Sequence, residues 1–198
     1  MKKIVFGIVA MLMMSVGGAS AQDIYDLQGK NDPKEEQREL SREEQRRLQQ
    51  SIDSVQWAEA LQAVRDTAFT LEADQVIFKY GQRAYVSSTT NFVAVDRGNA
   101  TVQVAFNVPV AGPNGMGGIT LDGRISDYKV TMDRKGNMAT ISFNVMGVGI
   151  SSQLYINMFR GSNRAQVDVM PNFNSRRISL SGRILPRDRS FVVKGNAL

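Results

Sequence analysis

From Phe69 onward the chain alternates apolar and polar residues with a period of two, in runs separated by compact turns. Val102, Val104, Phe106 and Val108 alternate with Thr101, Gln103, Ala105 and Asn107. Ala139, Ile141, Phe143 and Val145 alternate with Met138, Thr140, Ser142 and Asn144, and the run from Ile150 to Phe159 repeats the pattern. Ile178, Leu180, Gly182 and Ile184 do the same against Arg177, Ser179, Ser181 and Arg183. Successive side chains of a strand point to opposite faces, so this pattern specifies antiparallel strands with one dry and one wet face. The segments around Gly81, Gly98, Gly136 and Gly161 are hairpin sequences with a glycine available for positive φ, and Pro171 to Ser175 is a further reversal. A tight turn at Val148-Gly149 sets Leu154 opposite Phe143 and Ile156 opposite Ile141. The expected fold is mainly β: an antiparallel meander of about eight to ten strands forming a curled sheet or a small barrel, because a meander that long curls, closes or folds over.

An amphipathic helix precedes the strands. Trp57, Ala60, Leu61, Val64 and Ala68 fall at i, i+3, i+4, i+7 and i+11. This stripe is expected to cover an open end or one face of the sheet, with Trp57 as its anchor. Upstream, Asp32-Pro33-Lys34-Glu35 is a helix start. The following Glu36 to Gln50 is almost wholly charged or amide, with Leu40 and Leu48 its only large apolar residues. Such a helix packs weakly, so Asp32 to Gln50 reads as a solvated spacer, with a partner-binding helix as the alternative. Asp53, with Gln56 three residues on, reads as a second start, so a break near Asp53 is expected. The alternative is a continuous helix that is apolar on two sides, because Leu48, Ile52 and Val55 lie opposite the Trp57 stripe.

The first residues have a different character. Lys2 and Lys3 precede an apolar run from Ile4 to Val16, and Ala19-Ser20-Ala21 is an A-x-A cleavage site. These are the three regions of a secretory signal peptide. The run is shorter than the ~20 residues of a spanning helix. The organisation expected is a signal peptide over 1–21, a charged helical arm or linker over 22–52, and a β-rich domain with its N-terminal helix over 53–198. Charge follows the same division: the arm and helix up to Ala68 are net acidic and the remainder net basic. The expected destination is outside the cytoplasm, periplasmic or extracellular, with no membrane span left after cleavage.

The chain has no histidine and no cysteine. That excludes disulfides, thiolate nucleophiles, iron–sulfur clusters, Cys/His zinc sites and a Ser-His-Asp triad. Catalysis would fall to carboxylates, hydroxyls, lysines or an oxygen-ligated metal.

Further segments are recognisable together. Phe69-Thr70-Leu71-Glu72-Ala73-Asp74, Asn91-Phe92-Val93-Ala94-Val95-Asp96 and Ala100-Thr101-Val102-Gln103-Val104-Ala105-Phe106 recur in one arrangement. Gly112-Pro113-Asn114-Gly115-Met116-Gly117-Gly118-Ile119-Thr120 and Pro171-Asn172-Phe173-Asn174-Ser175-Arg176-Arg177-Ile178 complete it. Across roughly Asp53 to Pro186 the chain resembles the domain-of-unknown-function 4251 family, exported β-rich proteins of Bacteroidetes. The resemblance implies a signal peptide, a short helical lead-in and a β-rich domain. It carries no catalytic residue and no cofactor.

Three groups of residues are candidates for chemistry. Asn114, Gly115, Met116, Gly117 and Gly118 form a glycine-rich segment that reads as a wide loop, with ligand contact as its functional alternative. A phosphate cradle would lead into a helix, whereas Ile119-Thr120-Leu121 reads as a strand. Arg176, Arg177 and Arg183, with Arg187 and Arg189, form a basic cluster that fits an anionic glycan or lipid headgroup, although Arg177 and Arg183 stand ~20 Å apart along a strand. Glu72 and Asp74 point to one face and are the candidate carboxylate pair, read more simply as a solvated strand end or bulge. No catalytic residue, metal site or cofactor is assigned. The expected function is an exported, soluble, non-enzymatic binding or scaffolding module whose partner is a protein, a glycan or a small apolar ligand, and not nucleic acid. The alternative is a barrel-type carrier of a small apolar ligand. Mass spectrometry of the mature protein is expected to find Gln22 at its N-terminus; an intact Met1 would refute the signal-peptide assignment.

Overall fold

The computed structural model describes residues 33–77, 80–105, 118–172 and 177–195. It divides into two units, residues 1–46 and 47–198. Helix α1 runs unbroken from Pro33 to Arg65. The expected break at Asp53 is therefore absent. Asp53 does not cap a new helix; its carboxylate accepts a bond from Gln49 Nε2, 2.7 Å away and one turn earlier. No proline or glycine interrupts the segment, so nothing forces the backbone out of the helix. The second apolar side is not covered either. Every described side chain from Gln37 to Ile52 is exposed, Leu40 and Leu48 included, and Val55 is 58% exposed.

The opposite side of the helix does what its stripe predicts. Ala60, Ala63 and Val64 are buried in the core, with Trp57 and Leu61 packed against them. Two residues after the helix, at Thr67, φ is +53°, and the chain turns directly into the first strand.

Nine strands follow: β1 Ala68–Ile77, β2 Arg83–Tyr85, β3 Phe92–Asp96, β4 Asn99–Ala105, β5 Gly118–Met132, β6 Met138–Gly147, β7 Ser151–Phe159, β8 Arg164–Pro171 and β9 Ile178–Pro186. Each neighbour pair is antiparallel. The expected cross-strand partners are present: Phe143 faces Leu154, and Ile141 faces Ile156. The last strand, β9, pairs with β1 from Phe69↔Pro186 to Ile77↔Ser179, so eight strands close into a barrel. The short β2 is an appendage that pairs with β1 at Gln75–Ile77, beyond the stretch of β1 paired with β3.

The interior is built from the predicted dry face. Ile141, Phe143, Val145, Leu154, Ile156, Met158, Val167, Leu180 and Ile184 are all buried in one cluster with Phe69, Leu71, Val93 and Val95. Two irregularities shape it. In β1 the register shifts between Ala73 and Gln75, which leaves Asp74 as a bulge residue. In β5 the register shifts between Ser126 and Lys129, and Asp127 takes φ +55°. The extra residue turns Tyr128 inward, where its ring lies 5.6 Å from that of Phe143. The Tyr128 hydroxyl donates to the Val64 carbonyl at 2.6 Å, in the last turn of α1. Burial pushes the Tyr128 phenol above its ordinary pKa, which keeps it a neutral donor at physiological pH.

Closure brings the β9 and β1 backbones too close for a side chain at Gly182. A Cβ there would lie 1.9 Å from the Glu72 carbonyl oxygen. Gly182→Ala is expected to destabilise the barrel by about 1–3 kcal/mol, the usual range for overpacking, and to lower its melting midpoint by several degrees. An unchanged midpoint in calorimetry would show that the β1–β9 seam opens without cost.

Candidate functional site

Two places on the barrel are candidates. The first is a cavity of about 50 Å³ lined by Val102, Val104, Ile119, Leu121, Val169 and Ile178, among others. It lies where β4, β6 and β8 end and β5, β7 and β9 begin, away from the helix. Among the described residues of its lining, Ser152 is the one polar side chain. The cavity has room for an apolar group of a few atoms, and offers no charge or donor array to orient a polar ligand.

The second is the outer wall of β1, β3, β4 and β5. Alternation predicts that this wall is wet, and over these strands it is not. Thr70, Phe92, Ala94, Gln103, Ala105 and Thr120 point outward and are buried. They are covered by the Val86–Asn91 loop and by a C-terminal strap, a single 3-10 turn at Arg187–Arg189 followed by extended chain to Gly195. Gln103, with no exposed surface, is the hub. Its Nε2 donates to the Thr90 carbonyl at 2.9 Å and to the Val193 carbonyl at 2.8 Å. Its Oε1 accepts from the Gly195 N–H at 2.8 Å and from the Thr120 hydroxyl at 3.0 Å. Both donors and both lone pairs of the amide are used, so this buried polar side chain is fully satisfied. Val193 N–H donates to the Thr89 carbonyl at 2.8 Å, and Ser190 Oγ donates to Glu72 at 2.7 Å. Lys194 pairs with Asp122, whose other oxygen accepts from the Thr101 hydroxyl at 2.8 Å. Burial raises the Asp122 pKa, but the bonds from Lys194 and Thr101 outweigh it and hold the carboxyl below its ordinary value.

The described residues among those singled out by sequence lie apart from Gln103. Asn114, Gly115, Met116 and Gly117 lie outside the described residues. Gly118 opens β5, and a Cβ there would lie 1.8 Å from the Val104 carbonyl oxygen. Its glycine is required by strand packing, with no ligand needed to explain it. Arg176 also lies outside the described residues. Arg177, 61% exposed, stands 3.7 Å from Asp168, while Arg183 lies in β9 opposite Glu72 and Arg164. Arg189 is engaged with Glu59 at 2.8 Å. Among the described residues, Arg177 and Arg189 thus engage separate carboxylates. Glu72 and Asp74 are separated likewise: Glu72 takes Ser190, and Asp74 takes Arg164 at 3.0 Å. Among the described residues no cluster of acidic side chains has the arrangement of a metal site. Sequence reading missed Gln103, whose position in an alternating run made it one more wet-face amide.

A closed eight-stranded antiparallel barrel with a helical lead-in is the class of protein these features define. The family model described as a domain of unknown function (DUF4251) matches residues 51–184, and the chain belongs to that family. The crystal structure of a DUF4251 family protein from Bacteroides eggerthii is similar, with 47% sequence identity and a TM-score of 0.64, covering 71% of this chain and 94% of that one. No curated protein matches the chain.

Because the Asp122 pKa is lowered on folding, its bond to Lys194 contributes above the ordinary carboxylate pKa and is lost as pH falls through the lowered value. Hydrogen-exchange protection at the Val193 and Gly195 amides is expected to hold above the ordinary carboxylate pKa of about 4 and to fall as the pH is taken below it, once corrected for intrinsic exchange. Asp122→Asn should remove that pH dependence; if protection stays flat in the unsubstituted protein, the ion pair does not hold the strap.

Proposed function

We propose that this chain is an exported, soluble, non-enzymatic module that binds or scaffolds through the outside of its barrel, in the periplasm or at the cell surface. The observation that carries this reading is the filled interior. Phe143, Ile141, Leu154 and Ile156, neighbours on β6 and β7, are buried in one cluster with Phe69, Leu71 and Val95, and the cavity at the barrel end holds only about 50 Å³. Sites for small ligands are on the order of several hundred Å³. The described carboxylates support it too, since Glu72, Asp74, Asp122 and Asp168 each have their own partner instead of facing one another across a cleft. Export rests on the signal-peptide pattern of residues 1–21. The partner is a protein or a glycan that meets the polar outer wall.

One observation favours a second reading, a carrier of a small apolar ligand: the cavity is apolar and lies at the barrel end away from the helix. Phe143→Ala separates the two. In a packed core it is expected to cost ~3–5 kcal/mol. The unsubstituted protein should then take up little of an environment-sensitive apolar dye. Strong dye uptake by the unsubstituted protein, with little destabilisation in the variant, would establish the carrier instead.

A further inference from the structure

We infer that the outer wall around Gln103 is a docking groove for an extended polypeptide, filled in cis by the C-terminal strap, and that it accepts the strap of a second copy of this chain by exchange. The groove recognises main chain. One side-chain amide holds the Val193 carbonyl and the Gly195 N–H, and the Thr89 carbonyl holds the Val193 N–H. One charged residue adds specificity, because Lys194 lies between those two positions and meets Asp122. A strap with this sequence is the occupant the groove is built for, and every copy of the chain carries one.

The strap is also poised to leave. It is held by hydrogen bonds and ion pairs, and its own large apolar side chains stay outside the groove: Phe191 is 83% exposed and Val193 57% exposed. The floor is incompletely satisfied, since Thr70 Oγ1 is buried without a hydrogen-bond partner where the 3-10 turn packs on β1 and β3. The strap joins the barrel through Pro186 and that single turn, a short hinge at the end of β9. Exchange between two copies replaces each contact with its identical counterpart, which makes swapping a low-cost route to association. Phe191 and Val193, left in solvent by the cis arrangement, supply apolar surface to the joined pair. This inference is independent of whether the interior binds a ligand.

The experiment uses full-length chains and the absence of native cysteine. Thr89→Cys and Val193→Cys are made in separate chains, mixed at high concentration and oxidised. The expected product is a dimer whose disulfide joins position 89 of one chain to position 193 of the other, mapped by mass spectrometry. Adding Gly195→Pro to the Val193→Cys chain removes the N–H that Gln103 accepts without touching the barrel. It should lower the yield at least tenfold while the melting curve stays cooperative. An excess of the peptide spanning residues 187–198 should suppress the product to a similar degree. No dimer, a dimer joined only 89 to 89 or 193 to 193, or a yield indifferent to Gly195→Pro or to the peptide would overturn the proposal. Failure of exchange leaves the filled-interior argument standing, because that argument rests on Phe143 and dye uptake.

Discussion

The seam between β1 and β9 is the contact on which the rest of this structure depends. A meander of neighbouring hairpins has two free edges, and free edges invite pairing with other chains. Here β1 and β9 pair over nearly their whole lengths, and the eight barrel strands are left without a free edge, which only the three-residue appendage β2 retains. The seam needs a glycine at position 182, where the β1 backbone occupies the space of a Cβ. It also needs a bulge at Asp74, which absorbs a residue so that Ala73 and Gln75 both keep partners in β9. With closure made, Phe69, Leu71 and Ile184 join the same core as Ile141 and Phe143.

The barrel then needs its end covered, and the bulge in β5 provides the connection. The extra residue at Asp127 brings Tyr128 round to the inside, and its ring meets Phe143 while its hydroxyl meets Val64. A single side chain thereby ties the barrel core to the last turn of the helix. The hydroxyl shares the Val64 carbonyl with the Thr67 N–H, 3.2 Å away, so one helix-terminal acceptor serves both the turn into β1 and the barrel core. On the outside, Gln103 performs a comparable task with an amide: it joins the Val86–Asn91 loop, β5 and the strap through four hydrogen bonds. A buried polar side chain satisfied this fully fixes one arrangement of the segments around it.

This distribution of contacts bears on function. Among the described residues the inside of the barrel is lined by apolar side chains, and Glu72, Asp74, Asp122 and Asp168 each have a separate partner. The outer surface has two characters. Over β6 to β9 it shows outward polar residues such as Asn144, Gln153 and Asn157. Over β1, β3, β4 and the start of β5 it is covered by the Val86–Asn91 loop and the strap, held by Gln103, by the Val193–Thr89 backbone bond and by the Lys194–Asp122 and Ser190–Glu72 contacts. The DUF4251 match ends at residue 184, so it takes in the barrel up to β9 and stops before the strap.

Strand existence and pairing were legible in the sequence because they are local. Period-two alternation fixes which side of each strand is dry, and a two-residue turn at Val148-Gly149 fixes that Phe143 meets Leu154. The helix stripe from Trp57 to Val64 was legible for the same reason. Its continuity through Asp53 was misjudged, since Asp favours a cap and an i,i+4 bond to Gln49 alike, and only the surrounding chain decides between them. Closure was open at the level of sequence because it depends on twist accumulated over eight strands and on one close backbone approach at Gly182. The wet face of β4 was misread because the residues that cover it lie about ninety positions away and carry no periodic signal of their own. The sequence by itself determined the strands, their faces and their neighbours; the tertiary structure decided that the sheet closes, that its interior is full, and that Gln103 holds the strap, because those outcomes arise from contacts between segments with no local pattern to announce them.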